Sequence, residues 1–304
     1  SLSNETVGAS LLNADFGFIS NNSGTALELK NGSFNLALAG FAGVQAESML
    51  IQYTTENMEV AQGETLDVGP ISYEFEDGLD SGSAAFEAKG FEASVAGFVD
   101  LSGDIGVSSS DQGIVVVGNN VGARLGVDDY FVQVSQADFG LLSNDDGTTF
   151  ELTGGALSSS LGPLGSFSLG TASVVYSDEG MSVAQDTQLT VGSTSYVFQN
   201  DISSDQVIGF GVSGFSLNVA DFVELSGDIA FAKQGDVIVA VGNNVGAALG
   251  TDEYGVSLQG AEFGLVIDDG VTFALSEGAF ELNLGPVANV TTDNVFVAFA
   301  SDAG

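Results

Sequence analysis

The sequence predicts an all-β protein built as an elongated tandem-repeat array, and three observations carry that expectation. Apolar and polar residues alternate with a period of two, short turns rich in Gly, Asn and Asp separate the alternating segments, and one long stretch is written twice in register. A period of two puts every second side chain on one face, which is the pattern of a half-buried strand.

The strands can be taken in chain order. Tyr130, Val132 and Val134 alternate with Phe131, Gln133 and Ser135; Phe215, Leu217 and Val219 alternate with Ser216, Asn218 and Ala220; Phe280, Leu282 and Leu284 alternate with Glu281 and Asn283. Val237 to Val241 is apolar throughout, which predicts a strand covered on both faces. Between such segments, "NDDG" at Asn144–Gly147 and "IDDG" at Ile267–Gly270 predict hairpin turns, because Gly accepts the positive φ that primed turns require. The paired "VGNNVGA" motifs predict tight corners between strands at Gly118–Asn119–Asn120 and Gly242–Asn243–Asn244. The 42 glycines and the many Ser, Thr and Val residues disfavour long helices.

The repeat fixes the organisation. "FVDLSGDIGVSSSDQGIVVVGNNVGA" from Phe98 returns as "FVELSGDIAFAKQGDVIVAVGNNVGA" from Phe222, 124 residues later. "ADFG" at Ala14 recurs at Ala137 and, as "AEFG", at Ala261. "MEVAQGETLDVG" from Met58 likewise anticipates "MSVAQDTQLTVG" from Met181. The expected division is a partial repeat over 1–89, a complete one over 90–213 and a partial one over 214–304, with a fainter half-period between "SFNLALAGF" and "GFSLNVADF". Solenoid repeats have periods of about 20–50 residues, so a unit of this size holds several strands. With no Pro-rich or polar linker at the seams, the expectation is a continuous body, either β-solenoid-like or made of β-sandwich modules that share strands. Beginning and ending near the same phase, the chain reads like a piece of a longer array.

Charge narrows the partners. Forty-one acidic residues face four basic ones, giving a formal net charge of −37. Nucleic acid is not expected as a partner on this count, because phosphate binding needs clustered Lys and Arg. Such a charge makes the folded state repel itself and ties its stability to salt or bound cations. No apolar run approaches the length of a membrane span, and no signal-like segment opens the chain, so membrane insertion is not expected and export would use a signal outside these residues.

Catalytic options are few. Without His or Cys, Ser–His–Asp and Cys–His arrangements are impossible, and no P-loop or Ser-x-x-Lys pattern occurs. Paired carboxylates of the glycosidase kind compete with acids that simply solvate a surface, and their recurrence in register favours the surface reading. Calcium is the more serious candidate, since it takes oxygen ligands of the kind that Asp-rich turns offer. The recurring candidates are Asp128 and Asp129, matched by Asp252 and Glu253; Asp145 and Asp146, matched by Asp268 and Asp269; and Asp104, matched by Asp228. No EF-hand or glycine-rich nonapeptide calcium motif is present.

In repeat style, acidity and lack of Cys, the chain resembles the repetitive segments of very long secreted adhesin-like surface proteins of Gram-negative and marine bacteria. The resemblance implies an extracellular or cell-surface stalk, often calcium-stabilised, working in attachment or biofilm. The function expected is therefore a non-enzymatic structural spacer, with a carbohydrate-binding module as the alternative. Expected partners are surface polysaccharide or neighbouring copies of the same protein.

Overall fold

In a computed structural model the described residues are 2–4, 7–38, 42–95, 98–163, 165–178, 180–204, 207–220, 222–251 and 253–301. They form 21 β-strands, and none of them is helical. A large antiparallel sheet dominates and does not close on itself. Two units are distinguished by their contacts: unit 1 comprises 1–125, 136–150 and 183–201, and unit 2 comprises 126–135, 151–182 and 202–304. The segment 183–201 belongs with strands that precede it by about a hundred residues, so the units cut across the repeat boundaries read from the sequence.

In unit 1, β1 (Leu2–Asn4) pairs with β2 (Val7–Leu12). Both β2 and β3 (Asp15–Asn21) pair with different halves of β4 (Gly24–Leu38). The ladder then runs through β5 (Ala42–Thr54), β8 (Ala84–Val95), β9 (Val99–Ser110) and β10 (Gly113–Val127). Between β5 and β8 the chain forms a separate hairpin of β6 (Thr65–Val68) and β7 (Ile71–Glu74). Strands β11 (Tyr130–Asn144) and β12 (Gly147–Leu161) contribute residues to both units. In unit 2 the ladder is β13 (Ser166–Ser177), β16 (Val207–Val219), β17 (Val223–Gln234), β18 (Val237–Gly250), β19 (Tyr254–Ile267), β20 (Val271–Leu284) and β21 (Asn289–Ser301). A second separate hairpin, β14 (Gln188–Val191) with β15 (Thr194–Val197), belongs to unit 1.

Each alternating segment named from the sequence is a strand, and the two Asp-Gly turns join β11 to β12 and β19 to β20. Two readings are corrected. The "VGNNVGA" motifs do not turn corners between strands. They lie inside β10 and β18, where Asn120 and Asn244 each take φ 50° and the pairing register shifts. A residue in the left-handed region breaks the ladder locally and bends the strand, which is a β-bulge rather than a chain reversal. Nor is Val237–Val241 covered on both faces, since Val239 and Val241 are exposed.

The compact apolar core of unit 1 lies under the first hairpin. Phe75, Met58, Val60, Leu79 and Ala26 are buried together, with Ile19, Leu66 and Tyr73 packed against them. The hairpin legs are extended by the reciprocal Val60–Leu79 bonds and by Phe75 bonding to Gly63 and Glu64. Both hairpins turn on a two-residue loop whose first member is Gly with positive φ, Gly69 at 62° and Gly192 at 58°, as type II′ turns require.

Candidate functional site

The conspicuous local chemistry is a carboxylate held beneath a hairpin. Glu28 sits on β4, where alternation would point it to solvent, yet it is 1% exposed. Its Oε1 accepts from the Tyr73 hydroxyl at 2.8 Å and its Oε2 accepts from the Gln52 amide at 2.7 Å. Lys30 Nζ stands 4.0 Å from Oε1, 2.9 Å from Glu76 and 5.0 Å from the centre of the Tyr73 ring. A buried carboxylate is costly unless its oxygens are bonded, and here both are. Burial, then the bond to Glu28, pushes the Tyr73 phenol well above its ordinary range. Both Glu28 oxygens are thus held by structural donors.

Tyr73 can lie so close to the sheet because Gly17 is beneath it; a Cβ at Gly17 would fall 2.4 Å from the ring. One repeat on, Gly140 stands in the same relation to Tyr196, also at 2.4 Å, and Glu151 is fully buried at the position of Glu28. One repeat further, Gly264 has nothing over it and the Glu position is Ala274, which is exposed.

The β14–β15 hairpin reaches further than the β6–β7 hairpin. Its tip crosses a ladder row made of Leu50, Glu87, Gly106 and Val117, which are cross-strand partners in turn. A Cβ at Gly106 would lie 2.7 Å from Val191, and one at Gly192 would meet Glu87 and Leu50. Glu87 accepts from the Ser193 backbone N–H and hydroxyl, both at 3.0 Å, and from the Thr194 hydroxyl at 2.6 Å. Val117 is consequently 0% exposed.

The acidic residues expected to bind calcium are dispersed. Asp128 and Asp129 turn between β10 and β11, Asp145 and Asp146 between β11 and β12, and Asp268 and Asp269 between β19 and β20. Asp252 lies outside the described residues, and Glu253 follows it in the turn before β19. At Asn144 the side chain accepts from the Asp146 N–H at 3.0 Å, an ordinary turn bond. Asp104 and Asp228 have a local role: each accepts from a backbone N–H at 2.7 Å, of Gly90 and Gly214 respectively. Those glycines have φ 56° and 62°, so the two Asp residues cap the amides that a bulge leaves unpaired. Among the described residues no three acidic side chains come together as a metal site.

Unit 2 carries a surface depression of about 640 Å³ lined by Phe222, Glu224, Gln259, Glu281 and Asn283, among others. A second, of about 450 Å³, lies over Ser173, Gly211, Ala230 and Val241. Among the described residues no helix is long and apolar enough to cross a membrane. No protein-family model, curated protein or solved structure matches the chain.

The sequence missed both hairpins as packing devices, although the register of "LDVGPISYEF" and "LTVGSTSYVF" contains the signal. Tyr recurs at 73 and 196 and Glu recurs at 28 and 151, while the position one unit after Glu151 is Ala274.

Proposed function

We propose that this chain is a non-enzymatic structural region of a long extracellular, adhesin-like surface protein, serving as a spacer made of tandem units. The observation that supports it most is the hairpin lying across a sheet in register, with a buried carboxylate and a facing glycine, at positions 123 residues apart. That device stabilises a sheet face, and the carboxylates it covers, Glu28 and Glu87, are taken up by hydrogen bonds to the hairpins and the neighbouring strand. The acidity suits salty or calcium-rich surroundings, where screening relieves self-repulsion. Thermal unfolding in EDTA, CaCl2, MgCl2 and ionic-strength-matched NaCl tests the cation dependence. Equal gains in all three salts are expected if screening acts alone, and a gain confined to calcium would assign specific sites instead. Small-angle scattering tests the spacer role: an elongated particle is expected, and a globular one would overturn it.

A second reading, binding of polysaccharide, is favoured by the 640 Å³ depression, which combines amides, carboxylates and the exposed Phe222 ring. A glycan array should give hits that Glu281→Ala removes; no hit in calcium-containing buffer would dispose of it.

A further inference from the structure

We propose that the apolar face of the unit 2 sheet, the one turned away from Ser173, Gly211, Ala230 and Val241, packs against the same face of a second copy to make a two-layered sandwich. This goes beyond the spacer reading and does not depend on it.

Directly opposed residues share a face, so a face can be followed from strand to strand. The row Val174, Phe210, Phe231, Ala240, Leu265, Phe273 and Phe299 crosses the whole unit 2 ladder without a polar side chain. The next row on that face, from Ala172 on β13 to Val297 on β21, carries none either, and its Phe263 ring lies 6.4 Å from that of Phe273. In the row on the other side, from Tyr176 through Ile208 and Ile238 to Ser301, Lys233 is the only charge. No carboxylate stands in any of the three rows, although the chain has 41 acidic residues. A sheet face meant for solvent would take its share of them. In unit 1 the same face holds Leu29, Ile51, Phe86, Val107 and Val116 in one row, while Glu28 and Glu87, one residue out of phase, point to the face that the hairpins cover.

The face is open on interior strands and not only at an edge: Ile208 and Phe210 on β16 are 40% and 43% exposed, and Phe231 on β17 is 38% exposed. Among the described residues of the complete repeat, 90–213, every strand lies either in the large sheet or in the hairpin on the opposite face, so the repeat itself supplies no cover. Strands about 4.8 Å apart and rows about 7 Å apart make the patch roughly 30 by 20 Å. Two copies pressed together therefore remove on the order of 1,200 Å² from water, above the roughly 1,000 Å² that a specific interface should clear. A second copy is the occupant that fits this chemistry. It brings a patch of the same size and pleat, and two strongly acidic chains meet through the one surface that holds no negative charge, so no carboxylate is buried. Such self-complementarity is what a two-fold interface requires, and sheets stack face to face in this way. Repulsion between the remaining surfaces opposes the contact, so association grows as salt screens it.

Sedimentation velocity of the chain across a NaCl series tests the proposal. A dimer is expected whose share rises with salt, and a chain that stays monomeric at about 100 μM in about 1 M NaCl overturns it. Phe231→Asp sets a charge in the patch and should weaken dimerisation at least roughly tenfold. Val241→Asp, on the opposite face of the neighbouring strand, should leave it unchanged. Equal weakening by the two variants, or none by Phe231→Asp, would also overturn the proposal. If circular dichroism shows that Phe231→Asp does not fold, Phe210→Ser takes its place with the same expectation. Flotation with phosphatidylcholine vesicles separates the other occupant: the chain should not float, and vesicle binding that the patch variant abolishes would assign the face to lipid and contradict the sandwich.

Discussion

Val117 and Val241 sit in nearly identical strands, "IVVVGNNVGA" and "VIVAVGNNVGA", and differ completely in environment. Val117 is sealed under the β14–β15 tip, whereas Val241 faces an open depression. Their local sequence, secondary structure and bulge are the same, so burial is decided by a segment some seventy residues further along the chain. Strand formation is local here, and core formation is not. Full burial of a valine contributes about 1.5–3 kcal/mol, so the hairpin decides whether that stabilisation is realised.

The largest contrast should come from charging the two valines. Val117→Asp places an unpaired carboxylate under the hairpin and should cost at least about 3 kcal/mol in urea unfolding, while Val241→Asp should stay within about 0.5 kcal/mol. Next is the buried carboxylate. Glu28→Ala leaves the Tyr73 hydroxyl and the Gln52 amide without their acceptor and should cost about 2–3 kcal/mol, whereas Ala274→Glu, at the uncovered equivalent, should be close to neutral. A smaller contrast lies in the glycines: Gly140→Ala must displace the Tyr196 ring and should cost about 1–3 kcal/mol, but Gly264→Ala meets nothing and should change stability by less than about 0.5 kcal/mol.

Alkaline pH gives the subtlest test. Because Tyr73 keeps its proton in the fold where the unfolded chain would lose it, its contribution is complete below the ordinary tyrosine pKa of 10.0 and declines as pH rises above that value. Tyr73→Phe should flatten the loss of stability above pH 10, measured by thermal unfolding across that range.

Much of the fold is legible because strands and turns are written locally: alternation marks β11, β16 and β20, and Asp-Gly marks the turns from β11 to β12 and from β19 to β20. The hairpin packing was not. Ser193 and Thr194 bond to Glu87 across more than a hundred residues, and nothing near Glu87 in sequence announces them. Glu28 was hidden for a related reason. In "ALELK" it occupies the polar phase of the alternation, which reads as solvent-facing until a hairpin covers that face. Asp104 and Asp228 recur in register, which suggests ligands; in the fold each accepts from a glycine amide fourteen residues away, at a bulge that no periodicity shows.

The most direct test of the claim that the hairpin, and not the strand, decides burial is thiol labelling of Val117→Cys and Val241→Cys in the native state. Val241→Cys should react at nearly the rate of a free thiol, and Val117→Cys should be protected until the protein unfolds. Equal rates at the two positions would contradict the claim.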